Sequence, residues 1–252
     1  MLTFRAANKY LLFFVVAALL LMIVDPQYGW LLLILVIMYL YILVRGAMNV
    51  CSGFYLDVFC KGSTKEKIVA LTFDDGPDSV HTPQILDILD KQNVKASFFI
   101  IGKKAEQNEV LIRRILEEGH IIGNHSYSHD FFFDLFGRKK MEQDLLRTDE
   151  FIEKISGAKP AYFRPPYGVT NPTVAKVVKK LGHKAIGWSV RSLDTVLKDE
   201  DKIVGRVLDR LHPGAVILLH DDRDITVKAL EKMILKIKNE GYRFINLEEI
   251  MK

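Results

Sequence analysis

Two uncharged apolar runs at the front of this chain constrain everything after them. Tyr10–Val24 and Trp30–Val44 carry no charge, and Asp25-Pro26-Gln27-Tyr28-Gly29 between them reads as a turn. Each run falls somewhat short of the roughly 20 residues a spanning helix needs, but flanks such as Asn8 and Tyr28 bring it near the lower limit of about 17. Tyr10, Tyr28, Trp30, Tyr39 and Tyr41 suit an interfacial aromatic belt. A signal peptide is the competing reading of the first run, but no small-residue cleavage site follows it and a second apolar run does. The expectation is a helical hairpin within an anchor over 1–60, with a single re-entrant or interfacial element as the alternative. Arg5, Lys9 and Arg45 lie outside the hairpin and its turn has no cation. The positive-inside bias then puts both ends, and the domain downstream, in the cytoplasm. The charge difference is small, so the extracytoplasmic side stays open. Cys51 and Cys60 are too few for a disulfide framework and read as two small apolar residues near the membrane rather than as a pair.

Residues up to 60 contain three basic and two acidic side chains, leaving 32 Lys/Arg against 29 Asp/Glu beyond. That balance gives no basic footprint for nucleic acid. From residue 67 short apolar runs recur at 68–73, 97–101, 121–123, 161–163, 185–190, 215–219 and 243–247, each bounded by turn residues. Longer segments of helical period lie between them. Thr82-Pro83 and Asn171-Pro172 each read as an N-cap followed by proline at the first helical position. Gly119 and Gly182 read as C-terminal stops. Seven strands alternating with about six helices imply a parallel sheet covered by helices, and this length suits a compact, incomplete barrel over 66–250. No glycine-rich phosphate loop follows the first strand.

The polar residues with chemistry fall at the strands' carboxyl ends. Asp74 and Asp75 end the first strand, and His125 and His129 follow the third. Arg164 closes the fourth, Asp194 lies past the fifth, and His220 and Asp221 end the sixth. In parallel α/β barrels these ends converge on one face, which holds the active site. Each group alone has a plain reading. Asp74-Asp75-Gly76-Pro77 is good turn chemistry, His220 can be a satisfied core histidine, and Arg164 a surface arginine. Two histidines four apart share one face if they sit on a helical turn, and no glutamate lies between them as in the His-Glu-x-x-His motif. Together the groups say more. Two imidazoles and a carboxylate form a divalent-metal set with positions left open. Asp74 is then free to act as a base, Arg164 can hold it charged, and His220 supplies an acid.

In order and spacing, Thr72-Phe73-Asp74-Asp75-Gly76-Pro77, His125-Ser126-Tyr127-Ser128-His129, Arg164-Pro165-Pro166-Tyr167-Gly168 and Leu218-Leu219-His220 resemble the motifs of the NodB-homology polysaccharide deacetylases, carbohydrate esterase family four. The resemblance spans about residues 66–250. It implies a distorted seven-stranded (β/α) barrel that removes the acetyl or formyl group of an N-acylated amino sugar. It assigns the metal to Asp75, His125 and His129, with zinc usual and cobalt, nickel or iron as alternatives. Asp74 becomes the base, Arg164 its positioner, His220 the acid and Asp194 the residue orienting that acid. The Tyr167 amide becomes the oxyanion donor. Pro165 and Leu218 border the substrate, and Leu218 lines the acetyl pocket. One motif departs: where the family often has Asp-x-x-Asp-Trp, Arg191 and Thr195 replace the first aspartate and the tryptophan. Arg191 is thereby a candidate contact for an anionic group, with a solvated loop arginine as its plain reading.

The implied chemistry is metal-assisted amide hydrolysis, and a two-metal phosphoesterase is disfavoured by the single ligand set. The substrate is expected to be an N-acylated polysaccharide or a lipid-linked amino sugar at the membrane. Phe131-Phe132-Phe133 and Phe136 could rest against lipid, although core packing is the plainer expectation. A sugar-binding pseudoenzyme of the same fold is the alternative function.

Overall fold

The computed structural model describes residues 2–252. The apolar runs fold as α1 (Phe4–Val24) and α2 (Trp30–Met48), joined by a 3-10 turn over Pro26–Gly29. Both helices outgrow the uncharged runs. Thr3 caps α1 by accepting from the Ala6 amide, drawing Arg5 and Lys9 into its first turns. The helices have 21 and 19 residues, about 30 Å each at ~1.5 Å per residue, and both are long and apolar enough to cross a membrane.

The rest of the chain alternates as expected: β1 (Val58–Phe59), β2 (Ile68–Asp74), α3 (His81–Lys91), β3 (Ala96–Ile100), α4 (Gly102–Gln107), α5 (Glu109–Glu117), β4 (Ile121–Asn124), α6 (Arg138–Ser156), β5 (Tyr162–Phe163), α7 (Pro172–Leu181), β6 (Lys184–Ile186), β7 (Val190–Arg191), α8 (Glu200–Asp209), β8 (Ala215–His220), α9 (Asp224–Asn239), β9 (Arg243–Phe244) and α10 (Leu247–Ile250). All seven predicted strands are present, and β1 is an addition. The strand order is β1-β6-β5-β4-β3-β2-β8-β7, with β9 also on β2, and every pairing is parallel. β6 and β7 are halves of one predicted strand, broken at Gly187-Trp188-Ser189. β6 pairs with β5 and β7 with β8, so this one segment carries the sheet from one flank to the other and curls it into an incomplete barrel.

Strand side chains alternate between faces, and that period sorts the core. From β2 and β8, Val69, Leu71, Phe73, Ala215, Ile217 and Leu219 point outward into the main core beneath the helices. Ala70 and Val216 point inward with Phe99, Tyr162 and Ile186, and α10 packs Leu247 and Ile250 against this group at one end. The next inward positions along β2 are Thr72 and Asp74, and along β8 Leu218 and His220. The barrel interior thus changes from apolar to polar along its axis.

Two local expectations are corrected. Thr82 does not cap α3. The helix begins at His81, and the Asp78 carboxylate accepts from the Val80 and His81 amides, leaving the Thr82 hydroxyl for other partners. Asn171 does cap α7 ahead of Pro172, and Gly119 and Gly182 take the left-handed conformation after α5 and α7. Cys51 and Cys60 are bonded to each other rather than standing apart as small apolar residues. A 3-10 turn over Val50–Ser52, with Gly53 left-handed after it, folds the chain back along β1 and brings their Cα atoms to 6.0 Å, well within disulfide reach.

Phe73 is fully buried and its ring stacks on Phe98 at 5.0 Å. Phe73→Ala should lower unfolding stability by about 3–5 kcal/mol, read as a fall in the denaturation midpoint.

Candidate active site

Every predicted metal ligand comes from a chain reversal just past a strand. Asp75 follows β2 with φ of 71°, and Ser126 and His129 follow β4 with φ of 69° and 46°. Non-glycine residues seldom adopt this region, and clusters of them mark functional sites. His125–His129 is therefore a loop, not the helical turn expected from the four-residue spacing. Asn124 and Asp144 fasten it: the Asn124 side-chain oxygen accepts from the Ser126 amide, and the Asp144 carboxylate from the Tyr127 amide.

The loop brings His125 Nε2 to 3.5 Å and His129 Nε2 to 3.1 Å from Asp75 Oδ1. One atom from each of the three residues lies within 4.8 Å of the others. His125 Nδ1 lies 2.8 Å from the Arg164 carbonyl oxygen. A carbonyl only accepts, so Nδ1 carries a proton, and Nε2 is the nitrogen turned toward Asp75, the orientation in which the neutral ring ligates a metal. Asp75 Oδ1 is buried without an aligned hydrogen-bond donor. An orphaned carboxylate oxygen between two imidazole nitrogens fits one divalent cation. Burial opposes ionisation of Asp75, but the surrounding imidazoles of His125, His129 and His220, each favouring the carboxylate when protonated, hold its carboxyl well below the usual range. Burial and the neighbouring His125 push His129 down to about 4, so its ring is neutral, as a metal ligand must be.

Asp74, next to the ligand Asp75 in sequence, and His220 are register partners on β2 and β8. Asp74 Oδ1 accepts from Arg164 Nη1 at 2.6 Å, and Asp74 Oδ2 stands 3.8 Å from His125 Nε2. Arg164 is fully buried. It also donates to the Thr72 hydroxyl at 2.9 Å and to the carbonyls of Gly187 at 2.9 Å and Ile186 at 3.3 Å. Its guanidinium lies 4.1 Å from the Phe99 ring centre. His220 Nδ1 is 2.8 Å from Asp194 Oδ1, and Asp194 Oδ2 accepts from the His220 amide at 2.7 Å and the Thr226 hydroxyl at 2.8 Å. Burial disfavours the imidazolium, but the Asp194 hydrogen bond and the charges of Asp194, Asp74 and Asp75 prevail and push His220 up to about 9.

The remaining predicted residues divide. Leu218 is buried two positions before His220, on the same face. Pro165 is buried, and Tyr167, at φ 59°, sets its ring 4.8 Å from His129. Asp221 turns away, as the strand period requires, to lie against Gly76 and accept from Thr82. Arg191 is exposed, and among the described residues no carboxylate pairs with it. The residues missed from sequence hold the others in place. Thr72 bridges Arg164 to the Ile217 carbonyl, Thr226 fixes Asp194, and Lys104 donates to the Asp75 carbonyl at 2.7 Å. Thr72 stands two residues before Asp74 on a strand, so the period of two could have flagged it; nothing local marks Thr226.

His125→Ala and Asp75→Ala should abolish stoichiometric metal in the purified protein, whereas His220→Ala should retain it. Elemental analysis after gel filtration reads both.

The polysaccharide deacetylase family profile matches residues 61–186. A peptidoglycan-N-acetylglucosamine deacetylase of Bacillus cereus is 39% identical over 192 residues, covering 74% of this chain and 89% of that protein. The peptidoglycan-N-acetylmuramic acid deacetylase PdaA of Bacillus subtilis is 36% identical over 201 residues, covering 77% and 75%. Among solved structures, the Bc1960 peptidoglycan N-acetylglucosamine deacetylase superposes with a TM-score of 0.73 at 36% identity, covering 77% of this chain and 92% of that one. BA3943, a pseudoenzyme of carbohydrate esterase family four from Bacillus anthracis, superposes at 0.72 with 31% identity, covering 77% and 68%. This chain belongs to the polysaccharide deacetylase family, hydrolases of the amide bond in N-acylated amino sugars.

Proposed function

We propose that this chain is a metal-dependent N-deacetylase acting on an amino sugar of the cell-wall glycan, with one divalent ion held by Asp75, His125 and His129. The observation that carries this reading is the placement of Asp74 and His220 as register partners next to the three ligands, each fixed by its own buried partner. Two imidazoles and one carboxylate suit zinc. When bound, the ion polarises the amide carbonyl and acidifies a water. Asp74 accepts the proton of the attacking water, with Arg164 fixing the carboxylate that does so; such a base typically contributes about 10²–10⁴ in rate. The Tyr167 amide, in its left-handed turn, donates to the developing oxyanion. His220 gives its proton to the leaving amine, and Asp194 holds the imidazole upright and charged. Leu218 bounds the pocket for the acyl methyl.

Peptidoglycan is the substrate named for the relatives, and that favours a wall glycan, with N-acetylglucosamine or N-acetylmuramic acid as the sugar. The competing reading, sugar binding without turnover, draws on Arg191 and Thr195 in the altered motif and on the existence of a pseudoenzyme relative. The complete set of ligands, base and acid opposes it. Release of free amine from N-acetylated peptidoglycan by the metal-loaded chain tests the proposal; no release from peptidoglycan, chitooligosaccharides or lipid-linked precursors would leave the binding reading in its place. Asp194→Asn should move the alkaline limb of the kcat/KM profile to lower pH. His220 must be protonated to act, activity is lost as pH rises through its pKa, and losing the carboxylate lowers that pKa.

We further propose that α1 and α2 anchor the chain in the membrane with the catalytic domain outside. The Cys51–Cys60 bond supports this side, since disulfides persist in oxidising compartments, and a wall substrate lies there too. Three cations give the positive-inside bias little weight against it. Treating intact cells with a membrane-impermeant reductant and then an impermeant maleimide should label both cysteines. Labelling only after lysis would return the domain to the cytoplasm.

A further inference from the structure

The loop between His129 and α6 carries three large exposed apolar side chains close together in sequence. Phe131, Phe132 and Leu135 are 72%, 58% and 73% exposed within five residues. The same loop buries Phe133 and Phe136 beside Met141 and Leu145. Core packing therefore accounts for two of its aromatics and leaves the others outside. The buried pair makes the loop a platform, and Asp130 stiffens it by accepting from the Phe132 amide. Directly after it come Arg138, Lys139 and Lys140, all exposed. Among the described residues none of the three is in an ion pair, and Lys140 lies over the Phe136 ring.

Two contacts place this loop beside the end of the anchor. The Thr170 amide donates to the Ala47 carbonyl in the last turn of α2 at 3.1 Å, and the Asn171 side-chain amide donates to the Asp134 carbonyl within the loop. Consecutive residues thus tie the exposed lip and the end of α2 to one point. The lip also borders the active site: Phe131 packs 5.9 Å from Tyr167, whose ring packs on the ligand His129.

We infer that Phe131, Phe132 and Leu135 seat in the interfacial layer of the bilayer that holds α1 and α2, with Arg138 and Lys139 against its anionic headgroups. Exposed aromatics beside unpaired cations are the features that hold a surface at a charged lipid interface, and the lip continues the apolar surface of the anchor. The mouth of the site then opens along the membrane surface. The amino sugar it reaches is one held close to the lipid headgroups, as in a lipid-linked or newly exported glycan, rather than one in the outer wall. This inference rests on the membrane-anchor reading above and is independent of turnover.

The test uses the full chain in nanodiscs of phosphatidylcholine and phosphatidylglycerol carrying brominated acyl chains. Trp30, in α2, reports whether the anchor is inserted, read as the difference from the Trp30→Phe chain, in which Trp188 is the remaining tryptophan. In a Trp30→Phe background, Phe132→Trp reports the lip, and Leu135→Trp is a second reporter should the first fail to fold. Bromolipid should quench most of the added fluorescence from either lip reporter. Arg138→Glu with Lys139→Glu should weaken that quenching. If Trp30 is quenched and neither lip reporter is, the anchor stands and the lip proposal falls. If Trp30 is not quenched, both fall. If bromolipid leaves Phe132→Trp unchanged and soluble chitooligosaccharide shifts its emission, the lip binds glycan and the lipid assignment is overturned.

Discussion

A single buried cation organises this domain. Arg164 leaves the end of β5 and crosses the barrel interior to Asp74 on β2, taking the Thr72 hydroxyl and the carbonyls of Ile186 and Gly187 along the way. A guanidinium fully removed from water is tolerable only when paired and hydrogen-bonded, and stripping one partner from such a pair costs about 3–5 kcal/mol. The arginine therefore makes β2, β5 and the break between β6 and β7 agree on one geometry. Its backbone carbonyl meanwhile sets the tautomer of His125. The Asp74 carboxylate and the His125 imidazole are aligned by two ends of the same residue.

The strand period then separates stability from chemistry. Odd positions of β2 from Val69 to Phe73 feed the outer core, while Ala70, Thr72 and Asp74 face inward. β8 repeats the arrangement with Val216, Leu218 and His220. The outer faces can be filled with close-packed aliphatic and aromatic side chains while the inner faces become progressively polar toward the mouth. Polar groups there are affordable because each has a partner of its own, Arg164 for Asp74 and Asp194 for His220.

Much of this was legible from the chain alone, because strand alternation and the order of polar strand ends are local properties. The seven strands follow from the first, and the second brings Asp75, His125 and His129 together with Asp74 and His220 at one end of the sheet; the roles expected of these residues come from the family resemblance. What escaped was longer in range. The Cys51–Cys60 bond depends on a turn at Val50–Ser52 and a return along β1, a two-residue strand without a hydrophobic pattern of its own. The Asp78 carboxylate takes the first amides of α3, while the Thr82 hydroxyl donates to Asp221, 139 positions away. The histidine pair was read with helical spacing, while the structure uses left-handed residues at Ser126 and His129 to reach the same convergence. The phenylalanine run after His129 split between burial and exposure in a way that only the three-dimensional packing decides.

Gly187 joins two parts of the molecule that the sequence keeps far apart. Its carbonyl serves Arg164, its amide donates to Phe59 of β1 at 2.8 Å, and a side chain on its α-carbon would lie 2.6 Å from Cys60 Sγ. The disulfide and β1 are thus a wall of the barrel as well as the continuation of the two apolar helices, and only Gly187 separates Cys60 from Arg164. The domain is inlaid into its stalk rather than tethered to it. A change in the stalk is felt at the arginine that holds Asp74, and a fragment begun at residue 61, where the family profile match starts, would leave behind the disulfide and β1 that back this arginine.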